Sequence, residues 1–427
     1  VGEIEDKQFK GAVSPIYLSS SYQFMDVDVK RYPRYFNTPN QEYLSKKIAA
    51  LEFTESAMIF GSGMAAISHM FLAFLKAGDH IVVQNTIYGG TTNFIREEFP
   101  KLNIEFTFTN GYSIEDFEAA IQPNTKLIHI ETPSNPLLTI TDIKAIAKLG
   151  KDKGIVTSID NTFASPVNQN PALLGIDLIM HSATKYFGGH SDICAGAVAG
   201  SDVHMERIWN VSKNLGGSLS DFTVWMLERS MKTMGLRVKA QSKNALKLAK
   251  WLNKLEAVKH VYYPGLKSHP EHQLAKKQMK GFGGMLSFEL KDNLNPEAFQ
   301  KALKLIKPSM SLAGVESTVL SPSQTSHSLL TADQRKALGI SDGLIRFSVG
   351  IENVKDLKAE LALGKLDEEG YQRELALVPG RVARERREES IVRLHRLLED
   401  QRRQISLALL DLNDEIQAFI KVKMLYS

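Results

Sequence analysis

The alternation of apolar and polar positions predicts strands and helices that follow one another over the first 240 residues. Short apolar runs are typical of buried strands, and apolar residues spaced three or four apart are typical of helices that pack on one face. The predicted strands are 57–60, 80–84, 126–131, 155–160 and 178–181, and the predicted helices are 43–51, 63–76, 92–99 and 141–153. Strands that alternate with helices form a parallel sheet covered on both faces, so we expect an α/β domain over residues 46–240.

The pattern changes on both sides of this domain. Three prolines interrupt residues 1–45, which show no sustained periodicity, so we expect an N-terminal arm. Beyond residue 240 the pattern gives a long helix at 239–255, strands at 259–263, 285–289 and 345–348, and a helix at 296–305. This mixture predicts a smaller α+β domain over residues 241–365.

Residues 366–427 differ from the rest of the chain in their basic residues and in their periodicity. They contain 2 Lys and 9 Arg, whereas residues 1–365 contain 33 Lys and 8 Arg. From Ile391 to Phe419 an apolar residue recurs at every seventh position, which predicts a charged helical extension and a coiled-coil partner for 384–421. A single helix packed on the rest of the chain and a fused segment of foreign origin are the alternatives.

Composition excludes several classes of protein. The longest nearly apolar run has 12 residues, fewer than the roughly 20 that a membrane helix needs, so we expect no membrane association. A net charge of +4 gives no case for nucleic-acid binding. Cys194 is the only cysteine, which excludes a disulfide framework or a cysteine-built metal site; we expect no metal and interpret Cys194 as a small buried residue. Charges near the N-terminus, rather than a secretory signal, favour the cytoplasm.

Small, polar and ionisable residues follow each predicted strand of the α/β domain. In an open parallel sheet the carboxyl ends of the strands lie along one edge, and ligands bind beyond that edge. In chain order these residues are Gly61, Ser62, Gly63, Met64, Tyr88, Gly89, Gly90, Ser134, Asn135, Asp160, Asn161, Ser182, Thr184 and Lys185. We therefore expect them to form one site.

The turn from Gly61 to Gly63 opens a predicted helix and indicates an anion site. Backbone N–H groups and the helix dipole attract negative charge at such a position. The hydroxyl groups of Ser182 and Thr184 can donate to the same anion. These features favour a phosphate group as the ligand of this turn.

A dinucleotide site is the competing interpretation of the same turn. Gly61, Gly63 and Ala66 fit the pattern G-x-G-x-x-A. That interpretation requires an acidic residue at the end of the next strand to hold a ribose, and Gln84 and Asn85 stand there instead. We therefore favour a different phosphorylated cofactor.

The remaining residues of the edge match the requirements of pyridoxal phosphate. This cofactor needs a lysine amine for a Schiff base, which Lys185 supplies. It needs a carboxylate against the pyridine nitrogen, supplied by Asp160, and an aromatic face over the ring, supplied by Tyr88. Each residue alone has a plainer interpretation, such as a surface lysine or a helix cap, but their convergence favours the cofactor.

At these residues the sequence closely resembles the cystathionine/methionine γ-lyase and γ-synthase family of pyridoxal-phosphate enzymes, over about residues 10–363. The matching motifs begin at Ser62-Gly63-Met64, Tyr88-Gly89-Gly90, Glu131-Thr132-Pro133-Ser134-Asn135-Pro136, Asp160-Asn161, His181-Ser182-Ala183-Thr184-Lys185, Ser311-Leu312-Ala313-Gly314 and Ile345-Arg346-Phe347. The resemblance implies an aminotransferase-like fold of type I, with a parallel-rich sheet domain and a smaller C-terminal α+β domain.

The resemblance also implies a role for each candidate residue. Lys185 is expected to hold the cofactor and to move protons, and Tyr88 is expected to stack on the ring and act at the leaving group. The other expected cofactor-binding residues are Gly63, Met64, Asn135, Asp160, Ser182 and Thr184, together with Tyr32 and Arg34, which the family's arm extends to a neighbouring subunit. Ser311 and Arg346 are expected to bind the substrate carboxylate. The family implies a homotetramer, built as a dimer of dimers.

The implied activity is a carbon–sulfur lyase of sulfur amino-acid metabolism that forms 2-oxobutyrate, ammonia and a thiol from methionine or cystathionine. A γ-replacement synthase that uses a homoserine ester is the alternative within the family, and a scaffold subunit acting through residues 366–427 is the alternative outside it. Met310, where cystathionine enzymes often have Glu, favours methionine, whereas Tyr88-Gly89-Gly90 favours cystathionine. The arm departs from the family by one apparent extra residue near Asn37-Thr38-Pro39.

Overall fold

A computed structural model of the protein describes residues 2–325 and 331–363 of the 427-residue chain. Within these residues the chain forms twelve strands in two sheets, together with thirteen α-helices. The strands are β1 (Ser56–Phe60), β2 (His80–Val83), β3 (Glu105–Phe108), β4 (Thr125–Glu131), β5 (Val156–Asp160), β6 (Leu178–His181), β7 (Gly196–Gly200), β8 (Val258–Tyr262), β9 (Met285–Leu290), β10 (Lys307–Pro308), β11 (Thr318–Leu320) and β12 (Leu344–Ser348).

The helices surround and connect these strands. They are α1 (Pro39–Glu52), α2 (Gly63–Phe74), α3 (Gly89–Glu98), α4 (Ile114–Ala120), α5 (Ile143–Lys153), α6 (Ser165–Asn168), α7 (Asp202–Leu215), α8 (Asp221–Met231), α9 (Met234–Leu252), α10 (His272–Gln278), α11 (Pro296–Ala302), α12 (Ala332–Ala337) and α13 (Val354–Leu363). The predicted extension and coiled coil of 366–427 lie outside the described residues.

The first sheet has seven strands in the order β1-β7-β6-β5-β4-β2-β3. β7 pairs antiparallel with both β1 and β6, and the remaining pairs are parallel. Six strands therefore run in the same direction and end at the same edge. The α/β prediction with a parallel-rich sheet is confirmed, and β7 is the exception to parallel pairing.

Burial explains why the central strands lack alternation. Every residue of β2, β6 and β7 is buried, as expected for strands whose two faces are both covered by other elements. Several helices begin at polar caps: Ser62 caps α2, and Asp142 caps α5. Local sequence signals thus set where several helices start.

The second sheet has five strands in the order β10-β11-β12-β9-β8, and most of the pairs are antiparallel. α9 contacts β9, α11 contacts β10, and α13 contacts α9. The smaller α+β part predicted from the sequence is confirmed as a fold element. The proposed domain limits at residues 45, 240 and 365 stay predictions.

Several predicted boundaries are wrong in ways that have physical causes. The first helix is predicted at 43–51, but α1 starts at Pro39 because Thr38 and Gln41 form a capping box with proline at the first helical position. The long helix begins at Met234 rather than at residue 239. β3 and β7 were missed, since β3 is a short edge strand and β7 has the small-residue sequence Gly-Ala-Val-Ala-Gly.

The described residues contain no helix that is both long enough and apolar enough to cross a membrane.

Gly196, the first residue of β7, lies against the turn that precedes α2. A Cβ atom at this position would overlap the Ser62 carbonyl and approach the Ala66 Cβ to 2.9 Å. Because backbone on both sides must move, we expect Gly196→Ala to lower the free energy of unfolding by about 1–3 kcal/mol. The measurement is urea unfolding followed by circular dichroism.

Gly235→Ala is the matched control for this prediction. A Cβ at Gly235, within α9, would meet nothing within 4 Å, so this change should leave the stability unchanged or raise it by up to about 1 kcal/mol. Equal unfolding midpoints for the two variants would contradict the packing argument.

Candidate active site

The carboxyl edge of the first sheet brings the predicted residues together. Gly63 and Met64 begin α2 after β1, Tyr88 precedes α3 after β2, and Asp160 ends β5. Ser182, Thr184 and Lys185 follow β6 at the same edge. Parallel pairing, rather than proximity in the chain, collects these side chains.

The turn before α2 is where the sequence predicts an anion cradle. The Ser62 side chain accepts from the Ala65 N–H at 3.0 Å and caps the helix, and the other first-turn N–H groups have no carbonyl partner earlier in α2. A Cβ at Gly63 would lie 2.9 Å from the Ser182 Cβ and Oγ, so only glycine allows Ser182 this close to the helix start. The geometry fits a phosphate bound between the two segments.

Thr184 is tied to the backbone beside this cradle. Its hydroxyl donates to the Ala195 carbonyl at 3.1 Å and accepts from the Ala195 N–H at 3.0 Å. The hydroxyl proton is therefore already engaged, so Thr184 fixes the loop beside Lys185. Its direct donation to a phosphate stays a prediction.

Asp160 is a buried carboxylate that lacks an ion-pair partner among the described residues. Thr162 donates its backbone N–H to Asp160 Oδ1 at 3.0 Å. Desolvation raises the pKa of Asp160, while the bonds from Thr162 and the charges of His181 and Lys185 lower it. A cationic N–H donor, such as a protonated pyridine nitrogen, would offset the free-energy cost of burying the ionised Asp160 carboxylate.

Lys185, which follows β6, contacts Ser311 in the loop between β10 and β11 of the second sheet. Its Nζ donates to Ser311 Oγ at 2.6 Å. Desolvation, followed by the nearby Arg346 cation, lowers the pKa of Lys185 to about 8. Ser311 has φ +74°, a conformation that costs a non-glycine residue energy, and strain of this kind concentrates at functional sites.

Arg346, from β12, joins the second sheet to the first. Its Nη1 donates to Asn135 Oδ1 at 3.1 Å and its Nη2 donates to the Ser311 carbonyl at 3.2 Å. Burial lowers the pKa of Arg346 to about 10, and the Glu131 charge acts in the opposite direction. The guanidinium stays charged at neutral pH and can bind a carboxylate.

Tyr88 stands at the mouth of the site, with 46% of its surface exposed. A Cβ at Gly90 would lie 2.5 Å from Tyr88 Cε1 and 3.2 Å from Met64 Sδ, so glycine makes room for the ring between the two. The phenol is therefore accessible to a ligand held at the sheet edge.

Tyr32 and Arg34 lie apart from this group. Arg34 donates to the Lys213 carbonyl, and its guanidinium lies 5.5 Å from the centre of the Tyr32 ring. Within the described residues Tyr32 bonds to Asn37 and Tyr35, and Arg34 bonds to Lys213, rather than to the cradle. Their predicted role on a neighbouring subunit stays a prediction.

The sequence interpretation gave no role to Glu131, although this residue contacts two predicted site loops. Its Oε2 accepts from the Tyr88 N–H at 2.6 Å and its Oε1 accepts from the Asn135 N–H at 3.1 Å. The signal available was an acidic residue at the end of a buried strand, directly before Thr132.

A second buried network that was missed lies behind Asp160. Glu52, fully buried on α1, bonds to His181 Nε2 and accepts from Asn161 Nδ2 at 3.0 Å. His181 and Asn161 each adjoin a predicted site residue in the chain. Glu52 is 109 residues from Asn161, so no local pattern could have linked them.

The interpretation of Cys194 as buried is wrong. The thiol is exposed and lines a cavity of about 550 Å³ that also reaches Thr184 and Ser311. Among the described residues no group of His, Cys, Asp or Glu is arranged to hold a metal ion.

The comparisons with known proteins agree with this geometry. The family model described as Cys/Met metabolism PLP-dependent enzyme, where PLP is pyridoxal phosphate, matches residues 1–364, beginning earlier than the expected start near residue 10. The chain is 42% identical to cystathionine gamma-lyase of Bacillus subtilis (strain 168) over 364 residues, which are 84% of this chain and 96% of that protein. It is 40% identical to cystathionine beta-lyase of Lactococcus lactis subsp. cremoris (strain MG1363), with the same coverage.

A solved structure shares the fold. Cystathionine gamma-lyase from Lactobacillus plantarum, crystallised in complex with L-serine, superimposes with a TM-score of 0.82 at 40% identity and covers 85% of this chain and 96% of that one.

The low pKa of Lys185 predicts unusual amine reactivity in protein that carries no cofactor. Lysine reacts with acylating reagents only when it is unprotonated. Acetylation of Lys185 should therefore reach half its maximal rate at a pH of about 8. An ordinary lysine reaches half its maximal rate at a pH of about 10.4. Mass spectrometry of the Lys185 peptide measures the rate. Lys148, whose hydrogen bond to Asp152 raises its pKa, is the internal control, and equal midpoints for both lysines would contradict the prediction.

Proposed function

The chain belongs to the Cys/Met metabolism PLP-dependent enzyme family. We propose that it is a carbon–sulfur lyase that acts on cystathionine. Pyridoxal phosphate, when bound, supplies an electron sink for negative charge that develops on the substrate. The observation that carries the proposal is the meeting of the Lys185 amine with Ser311 and Arg346 beside the buried Asp160. Gly63, Met64, Ser182 and Thr184 would hold the phosphate, and Asp160 the ring nitrogen.

Three residues of this chain would bind the substrate and move protons. Arg346, already oriented by Asn135, binds the α-carboxylate. Lys185, with its pKa lowered to about 8, takes a proton from the substrate carbon at a pH where an ordinary lysine is charged. Tyr88, half-exposed at the mouth, gives a proton to the departing sulfur.

The cavity beyond Ser311 supports cystathionine over methionine. It holds about 550 Å³. Its lining includes Glu316, whose carboxylate accepts from the Ser191 hydroxyl, and also Asp192 and Lys307, for which no ion pair is found among the described residues. The distal half of cystathionine is an amino acid with one ammonium and one carboxylate, and these two side chains have the complementary charges. Methionine ends in a methyl group and needs neither.

We infer γ-elimination as the reaction: the Cγ–S bond breaks, one water is consumed, and cysteine, 2-oxobutyrate and ammonia are released. β-Elimination, which would give homocysteine, pyruvate and ammonia, is the second candidate because a β-lyase is among the relatives. Elimination from methionine stays an alternative, as does γ-replacement with a homoserine ester, because an L-methionine gamma-lyase and a cystathionine gamma-synthase are also relatives.

A homotetramer in the cytoplasm is part of this proposal. The residues before α1 expose large apolar side chains, among them Phe9, Leu18, Phe24 and Met25, each more than 60% exposed. Exposed apolar groups in such number are typical of a contact surface, and an arm docked on a second copy would cover them and bring Tyr32 and Arg34 to its phosphate site. A scaffold role through 366–427 rests on residues outside the described part of the chain.

Spectra and product analysis test the proposed reaction. The purified protein with pyridoxal phosphate should show a visible absorption band that Lys185→Ala abolishes. With L-cystathionine it should form 2-oxobutyrate and cysteine at least tenfold faster than it forms 2-oxobutyrate from L-methionine.

Other products would replace this proposal with another. Pyruvate and homocysteine would identify β-elimination. Cystathionine formed from O-acetyl-L-homoserine and cysteine, without 2-oxobutyrate, would identify a synthase. A protein without the band, even with added cofactor, would contradict the enzymatic proposal.

The cavity assignment predicts a change in substrate preference. Lys307→Met should raise the KM for L-cystathionine about tenfold and leave the KM for L-methionine unchanged, because only the longer substrate carries a distal carboxylate. Lys304→Met, three residues away and outside the lining of the cavity, is the control. Equal effects on both substrates would contradict the assignment.

A further inference from the structure

The carboxylate of Glu131 connects two loops that come from different strands. Its Oε2 accepts the Tyr88 N–H at 2.6 Å, and its Oε1 accepts the Asn135 N–H at 3.1 Å. The first of these bonds is at the backbone entry to α3, where the helix dipole strengthens binding of an anion. Each oxygen therefore fixes a different wall of the site.

Glu131 has little freedom to move. It ends β4, is buried, and lies in register with Asp160 on β5, so the two carboxyl groups face the same side of the sheet. Gln84 holds its backbone from the neighbouring strand: the Gln84 side chain donates to the Glu131 carbonyl at 2.9 Å and accepts from its N–H at 3.3 Å. Gln84 thus holds the end of β4 in place, while the Glu131 carboxylate binds the two loops that carry Tyr88 and Asn135.

The two loops carry groups that act at opposite ends of the substrate. Tyr88 presents its phenol to the leaving group, and Asn135 Oδ1 accepts from Arg346 Nη1, which binds the substrate carboxylate in the proposed function. Glu131 is bonded directly at Tyr88 and at Asn135, so the distance between these groups depends on it, with Gln84 holding the same two loops further from the site.

We propose that Glu131 is a positioning residue. It keeps the Tyr88 phenol and the Arg346–Asn135 pair at the distance from each other that one bound substrate requires. This inference rests on the proposed elimination reaction and adds a residue to it. Glu131 touches neither substrate nor cofactor in this assignment and acts through Tyr88 and Asn135.

Charge around Glu131 supports the same role. Burial and the adjacent Asp160 raise the pKa of Glu131 well above its usual range, while the N–H groups of Tyr88 and Asn135 and the Arg346 cation act in the opposite direction. His129, on the same face of β4, is neutral because burial lowers its pKa to about 3. The hydrogen bonds from the Tyr88 and Asn135 N–H groups are therefore among the main interactions that favour the ionised form of the Glu131 carboxyl group.

Glu131→Gln tests the proposal with little change in volume. The amide keeps one oxygen acceptor but turns an N–H₂ donor toward the other backbone N–H, so one loop must shift. We expect the visible cofactor band to remain, because Lys185 and Asp160 are intact, and kcat/KM for L-cystathionine to fall at least tenfold.

The leaving group provides a readout that a purely structural role would not change. A departing thiolate needs a proton from Tyr88, whereas the carboxylate that leaves O-acetyl-L-homoserine does not. Misplacement of Tyr88 should therefore lower the elimination kcat for cystathionine at least fivefold more than the kcat for the ester. If the ester is not turned over, a fall in the cystathionine kcat with the band unchanged serves as the readout.

Glu360→Gln is the matched control. Glu360, on α13, is equally buried and also accepts from two backbone N–H groups, those of Lys304 and Leu305, both at Oε1, but it lies outside the site. Glu360→Gln removes the same charge and can keep both bonds through its amide oxygen, so it should leave kcat and the ratio between the two substrates unchanged.

The outcomes separate this inference from the proposed function. A parent protein without turnover would contradict the function itself. An active parent with unchanged kinetics in Glu131→Gln, or with equal loss for both substrates, would overturn the positioning role. If Glu131→Gln does not fold, Glu131→Asp is measured in its place, since it keeps the charge but is too short to reach both loops; failure of both variants to fold would assign Glu131 to stability alone.

Discussion

Four ionisable side chains, largely removed from water at one sheet edge, limit how the rest of the site can be arranged. Glu131 and Asp160 end adjacent strands in register, and Lys185 and Arg346 supply the opposite charge. Burial of an isolated charge is costly, so such groups persist only where hydrogen bonds and opposite charges compensate. The backbone N–H groups of Thr162, Tyr88 and Asn135 provide part of that compensation, and a bound cofactor would complete it at Asp160.

The sheet order makes this cluster geometrically necessary. Because β1 and β6 flank the antiparallel β7, all strands that carry site residues still end at one edge. The small residues of β7 allow the turn at Ser62 to pack closely on it, as the absence of room for a Cβ at Gly196 indicates. The second sheet then closes the site from the other side, with Arg346 on β12 and Ser311 on the strained loop before β11.

The residue types and strand ends made it predictable which side chains lie at the carboxyl edge of the first sheet. A lysine, an aspartate, an aromatic residue and a Gly-Ser-Gly turn each followed a recognisable strand, and the direction of parallel strands indicated that they would meet. β7 could not be identified in the same way, because alanine and glycine have weak strand preference and only burial between β1 and β6 selects the extended conformation. Cys194 was interpreted from its usual burial, yet its loop lines an open cavity.

Local periodicity and residue chemistry at strand ends were enough to predict the α/β class, the positions of most strands and the placement of Lys185, Asp160, Tyr88 and the Gly61–Gly63 turn at one sheet edge. The tertiary structure, by contrast, brings distant groups into contact: Glu131 with Tyr88, Arg346 with Asn135, Glu52 with His181. It also set the electrostatic state of Lys185, because desolvation and the nearness of Arg346 depend on the packing of two sheets. Such contacts join residues up to 211 positions apart, and no local pattern carries that information.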